Sequence, residues 1–221
     1  ARRGFVVLAP PYPHLAEYKP DLRGLGYASG TMKAVWDNIR GLDVLAATPG
    51  VSPRGFGAIG HSLGGHNSIF TALFDERVKA VVSSCGFDSF LDYYQEKQAA
   101  VWKPGQAWGQ DRYMPRISAY AGRLAEIPFD FHELAGALAP RAFLAVSPKG
   151  DANFKWRSAG RVVDAGSGEE EVFAGDAAFG AGCVEPDRVQ VGAHASQAER
   201  GIDSQAEHFQ PGGEAVEDVD G

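Results

Sequence analysis

The stretch FGAIGHSLGGHNSIFTALFDERVKAVVSSCG, residues 56–86, constrains the fold more than any other part of the chain. A short apolar run ends abruptly in Gly60-His61-Ser62-Leu63-Gly64-Gly65, a helical pattern starts at once, and a second apolar run, RVKAVVSSCG, follows it. Short apolar runs bounded by glycine suit strands buried on both faces. Two such strands joined through a helix make a parallel pair with a right-handed crossover, since a hairpin cannot connect parallel neighbours.

The same rhythm extends both ways. GFVVLAP, residues 4–10, predicts a buried strand, followed by a Pro-, Gly- and Tyr-rich loop. Met32, Val35, Trp36, Ile39, Leu42 and Leu45 fall at helical spacing, with Ser29 or Thr31 as the cap and Pro49 as the stop. DFHELAGALAP opens a helix at Asp130, which has capping-box spacing to Glu133, and RAFLAVSPKGD predicts a strand ending at Asp151. The alternation predicts an α/β fold, a mostly parallel sheet flanked by helices. Residues 87–128 interrupt it with Phe87, Phe90, Tyr93, Tyr94, Trp102, Trp108 and Tyr113, and are expected to form an aromatic-rich insertion over the sheet. Its aromatics suit either a substrate cleft or a small core of their own.

Composition divides the chain. Residues 1–151 carry 16 Lys/Arg and 14 Asp/Glu, whereas residues 152–221 carry 5 and 14. All 13 leucines lie in the first 144 residues. A core over residues 1–165 and an acidic, poorly ordered tail over 166–221 are therefore expected, with only SAGRVVDAG and RVQVGA as candidate elements near or within the tail. No basic patch points to nucleic acid, and no long uncharged apolar run spans a membrane. Cys85 and Cys183 form neither a disulfide framework nor a metal-ligand spacing, Cys85 reading as a packed thiol at a strand end; no cofactor is implied. The chain opens without Met, directly on a strand-like run, and is expected to be truncated at its N-terminus. With no leader in view, a cytoplasmic location is the default.

Gly60-His61-Ser62-Leu63-Gly64 has the pattern of a strand-to-helix elbow that holds out a nucleophilic serine. The alternative is a tight turn with an incidental serine; its setting between a buried strand and a helix favours the nucleophile. The backbone N–H of Leu63, at the start of the helix, is the expected oxyanion donor. Asp151, at the rim after a later strand, is the expected acid, its alternative being a turn aspartate. Two downstream histidines, His194 and His208, are candidates for the base, with His208 favoured. His61 and His66 flank the serine but are assigned no catalytic role, and His132 reads as part of a helix cap.

Beyond the serine motif, RRGFVVLAPPYP, GYASGTMKAVWDNIRGLDVL, GHSLGGHNS, VKAVVSSCGF, DRYMPRI, PFDFHELAGALAPRAFLAVSP and DANF together resemble bacterial α/β hydrolases of the dienelactone hydrolase and acetyl xylan esterase type, close to the prolyl oligopeptidase group. The likeness covers roughly residues 1–165. It implies a partial α/β-hydrolase fold and carboxylic-ester cleavage through an acyl-enzyme, with Ser62 as nucleophile and Asp151 as acid. Acetyl or uronoyl esters of plant carbohydrates are the implied substrates. Relatives of this type place a second oxyanion donor ahead of GFVVLAP and end in a GH-x-F-P loop, echoed here only by EHFQP at His208. Alternatives are a serine peptidase of prolyl oligopeptidase type and a non-catalytic hydrolase-like domain.

Overall fold

A computed structural model describes residues 4–52, 54–93, 104–167 and 181–182. Four strands, β1 (Phe56–His61), β2 (Val78–Ser84), β3 (Ala142–Val146) and β4 (Ala181–Gly182), form one sheet in chain order with every pair parallel. The expected α/β architecture is thus present, with helices flanking the sheet. α1 (Gly30–Ala47) packs on α2 (Leu63–Phe74), and α2 packs on β1 and β2. α3 (Phe131–Gly136) packs on α4 (Trp156–Gly166).

Local chemistry sets the helix starts. The Ser29 hydroxyl accepts from the Met32 amide at 3.1 Å, so Ser29 caps α1 and Thr31 lies inside it. Asp130 and Glu133 complete a capping box on α3. Asp130 also accepts from Ser89 at 2.7 Å and from the Phe90 amide at 3.0 Å, so the same carboxylate ties the loop after β2 to this helix.

The core is one continuous cluster that includes Val35, Ile69, Phe70, Val81, Phe143 and Val162. The aromatics of the interrupted region belong to it. Trp108 is 1% exposed and its ring lies within 6 Å of His66, Tyr93, Tyr113, Phe131 and Phe154. Phe87 and Phe90 are also buried. Trp108 and Tyr93 therefore act as core side chains; Tyr94 and Trp102 lie outside the described residues.

Two expectations are corrected. Residues 5–10 form no strand; Phe5 is 71% exposed and Val7 67%. An apolar run becomes a strand only where a neighbour satisfies its amides and carbonyls, and β1, first in the sheet, is paired only with β2 among the described residues. Leu8 instead leans on α1, where a β-carbon at Gly41 would come within 2.7 Å of it. The strand before Asp151 ends at Val146, not at Asp151, because Pro148 starts a turn in which the Asp151 amide donates to the Pro148 carbonyl at 3.2 Å. α4 gives a regular helix to the weakly patterned SAGRVVDAG, whereas RVQVGA lies outside the described residues.

Candidate active site

β1 ends at His61, and the chain reverses at Ser62 into α2. Ser62 has φ 51° and ψ −116°, a conformation disfavoured for any residue with a β-carbon, and its side chain makes no capping bond to the helix it precedes. The strain is held from both sides. The Ser62 amide donates to the Ser84 carbonyl at 2.8 Å, and the Ser62 carbonyl accepts from the His66 amide at 2.9 Å. Close approach demands glycine here. A β-carbon on Gly60 would lie 2.1 Å from the Gly64 carbonyl carbon, and one on Gly65 2.9 Å from both the Gly60 and Ser84 carbonyl oxygens. Gly64 itself has room for a β-carbon; its backbone is what presses on Gly60. Ser62 is half-buried at the carboxyl edge of the sheet. Leu63 is the first residue of α2, where helix geometry leaves amides without intrahelical partners.

Asp151 reaches the same rim from β3. Its Oδ1 accepts from the Asn153 amide at 2.7 Å and the Phe154 amide at 3.3 Å. The turn role and a rim position therefore coexist in one residue. Phe154 anchors the turn, stacked on Tyr93 at 5.5 Å. Between the serine and the aspartate stands Cys85, one residue past β2. Its amide donates to the Val146 carbonyl at 2.8 Å, at the last residue of β3. Burial pushes the thiol pKa up, and hydrogen bonding to the Asp151 carboxylate pushes it further. The C-terminal ends of three adjacent strands thus bring Ser62, Cys85 and Asp151 to one edge of the sheet, where ligands of open α/β sheets bind.

The neighbouring histidines are engaged elsewhere. His61 Nδ1 lies 3.2 Å from Ser84 Oγ, and His132 Nε2 lies 3.4 Å from the adjacent Glu133. His66 is fully buried, with Nε2 at 3.0 Å from Thr31 Oγ1, and burial pushes its pKa down to about 3. It is a neutral core histidine, stacked on Trp108 at 4.9 Å. The two candidate bases, His194 and His208, lie outside the described residues. Sequence reasoning missed that the Cys85 amide is fastened to the end of β3, the strand that leads to the Asp151 turn, which no local pattern encodes. It also missed Asp88, 0% exposed, which accepts from the Lys155 amide at 2.9 Å where α4 begins. Among the described residues, no group of three or more His, Cys, Asp or Glu side chains could hold a metal ion.

Comparison with known proteins gives a consistent picture. The chain is similar to the 4-O-methyl-glucuronoyl methylesterase of Hypocrea jecorina, 26% identical over 146 residues, which cover 62% of this chain and 31% of that protein. It is similar to 4-O-methyl-glucuronoyl methylesterase 1 of Sodiomyces alcalophilus, 29% identical over 136 residues, covering 57% and 27%. The chain thus spans about a third or less of the length of these relatives. Among solved structures, a glucuronoyl esterase from Solibacter usitatus superposes with a TM-score of 0.55 at 24% identity, covering 70% of this chain and 38% of that one. The Hypocrea jecorina catalytic domain superposes with a TM-score of 0.53 at 19% identity, covering 66% and 43%. These structural likenesses speak for the fold, an α/β hydrolase, which the motif resemblance also implied. The family is narrower than that resemblance and different from the types it named. The fungal glucuronyl esterase family model matches residues 21–173, a span that includes the serine elbow, the Cys85 junction and the Asp151 turn, and the chain belongs to the glucuronyl esterase family.

Proposed function

We propose that this chain carries the catalytic residues of a serine esterase that cleaves esters of glucuronoyl groups. Ser62 Oγ attacks the ester carbonyl carbon while a histidine takes its proton. The carbonyl oxygen becomes an oxyanion that accepts from the Leu63 N–H. The tetrahedral intermediate collapses, the C–O bond to the alcohol breaks, and the histidine returns the proton to the leaving oxygen. Water, deprotonated by the same histidine, then releases the uronate and regenerates the serine. His208 is the proposed base, with His194 as the alternative, and Asp151 orients the imidazole and stabilises its charged form. Removing an oxyanion donor of this kind typically costs about 100- to 1000-fold in rate.

The observation that carries this reading is the strained Ser62 backbone, φ 51°, at a strand-to-helix junction. Strain of that sort persists where the surrounding structure fixes it, and it collects at functional sites. The substrate class comes from the relatives: two are named 4-O-methyl-glucuronoyl methylesterases, and a Sporotrichum thermophile glucuronoyl esterase variant is solved with methyl 4-O-methyl-β-D-glucopyranuronate.

That methyl ester is the discriminating substrate, set beside p-nitrophenyl acetate and a peptide anilide. Release of methanol from the uronate ester, with fluorophosphonate labelling lost in Ser62→Ala, is the expected result. Anilide cleavage would favour a serine peptidase of prolyl oligopeptidase type. A folded chain that takes no label would be a non-catalytic hydrolase-like domain. Loss of turnover in His208→Ala but not in His194→Ala supports the proposed base.

A further inference from the structure

We propose that the cavity between the loop preceding α1 and residues 111–115 binds a neutral pyranose sugar, at a site separate from the Ser62 rim. Its volume is about 300 Å³, at the small end of ligand sites. His14, Asp21, Arg23, Tyr27 and Asp111 line it, and neither Ser62 nor Asp151 does. Its polar side chains are mostly unengaged. Among the described residues, the His14 imidazole, the Arg23 guanidinium and the Asp111 carboxylate enter no hydrogen bond or ion pair. Asp21 uses one oxygen, Oδ1, to accept from the Gly24 amide at 3.0 Å.

The walls are set without a ligand. The Gly30 amide donates to the Asp111 carbonyl at 2.7 Å, and the Tyr12 hydroxyl donates to the Arg112 carbonyl at 2.9 Å. The two walls approach so closely that a β-carbon on Gly30 would lie 2.6 Å from Arg112 Cα. Within the loop, His14 has φ 59° and Ala16 φ 49°, and the His14 amide donates to the Tyr18 carbonyl at 2.7 Å. Strain of this kind persists only where the surroundings fix it. Tyr27 is placed by its amide, which donates to the Leu22 carbonyl at 2.7 Å, and by the Lys33 ammonium, 5.6 Å from its ring centroid. A site already in shape loses little freedom when it binds.

The mixture of charges selects the ligand. Arg23 shares the cavity with Asp21 and Asp111 but pairs with neither. A ligand between them must offer donors to the carboxylates and acceptors to the guanidinium. Hydroxyl groups do both, and a pyranose carries several on adjacent carbons. Its apolar face suits the Tyr27 ring and the flanking Pro20 and Pro115. An anion would face two carboxylates, and a cation would face the guanidinium. A zwitterionic amino acid would answer Arg23 and one carboxylate and leave the other opposed to its own carboxylate. His14, Asp21 and Asp111 do not gather as ligands of a metal ion.

The test titrates the full chain carrying Ser62→Ala with cellobiose and follows backbone amide shifts by NMR, so that no turnover is needed. Saturable shifts at Arg23, Tyr27 and Asp111 are expected, with Kd in the millimolar range. Arg23→Ala and Asp111→Asn should each weaken binding about tenfold, the loss of one charge-assisted hydrogen bond. Neither side chain has a partner within the fold, so both variants should keep the parent Tm within about 2 °C. Sodium glucuronate, glycine and inorganic phosphate are titrated alongside. No saturation with cellobiose, unchanged affinity in both variants, or tighter binding of any of the three charged probes overturns the proposal. Ester hydrolysis is assayed separately on the parent protein. Its absence with sugar binding intact refutes the esterase reading alone, and sugar binding lost with hydrolysis intact refutes the cavity alone.

Discussion

Asp88 offers a quantitative prediction that is independent of the catalytic reading. It is 0% exposed, just after β2, and one carboxylate oxygen accepts from the Lys155 amide while Oδ1 has no hydrogen-bond partner. Burial pushes its pKa from 3.8 to about 6, and the nearby Asp92 carboxylate adds to the rise. A raised carboxyl pKa means that the folded state binds the proton more tightly than the unfolded state. Stability is therefore highest below the unfolded value of 3.8 and falls as pH rises through about 6. The gap between those two values, at 1.36 kcal/mol per pKa unit, corresponds to about 3 kcal/mol of destabilisation at pH 8. Asp88→Asn removes the charge but keeps a carbonyl for the Lys155 amide, so about 1–2 kcal/mol should be recovered at pH 8 and almost nothing at pH 4. In Tm this is about 2–8 °C for a chain of this size. His66 works in the opposite sense. Its pKa is depressed to about 3, so its contribution is complete above the ordinary histidine value of 6.5 and is lost as pH falls toward 3. The diagnostic quantity is thus the difference between Asp88→Asn and the parent protein in denaturant melts across pH. A gain as large at pH 4 as at pH 8, or a loss at both, would refute the reasoning.

Other outcomes follow from the same geometry. Gly60→Ala forces a β-carbon into the Gly64 backbone and should cost about 3 kcal/mol or more, with fluorophosphonate labelling lost in whatever remains folded. Ser62→Gly should abolish labelling while raising stability by about 1 kcal/mol, since glycine accepts φ 51° without strain. Trp108→Ala empties the centre of the aromatic cluster and should cost about 3–5 kcal/mol, read as loss of the cooperative melt. Imidazole nitrogen shifts of His66 should remain those of a neutral ring down to pH 5.

The sequence made the repeating architecture legible where local signals suffice. Apolar runs marked β1, β2 and β3, Ser29 or Thr31 marked the start of α1, with Ser29 the cap in the structure, and the Asp130–Glu133 box marked α3. The Ser62 turn was legible because its constraint is local: glycines on either side of one residue. The errors share a cause of the opposite kind. GFVVLAP looks like a buried strand, but whether it becomes one depends on a neighbour that the run does not encode. The end of β3 moved back from Asp151 to Val146 because a turn that opens at Pro148 competes with strand extension. Trp108 and Tyr93 fit a cleft or a core equally well by composition; only the ring contacts with His66, Phe131 and Phe154 separate the two. The family assignment likewise needed comparison along the chain, since an esterase elbow is shared by hydrolases that act on very different esters.

The outer side of β1 bears on how any of these measurements is made. Ile59 on that strand is 77% exposed, and Phe5 to Leu8 lie open elsewhere on the surface. Among the described residues the outer edge of β1 has no strand neighbour, and such an edge beside oily surface is a template on which another copy can pair. Concentration is therefore a hidden variable: melts, labelling yields and sugar titrations should drift as protein is added, and a dilution series belongs beside each of them. A lysine placed at Ile59 would blunt the template and flatten that drift while leaving the Ser62 rim untouched.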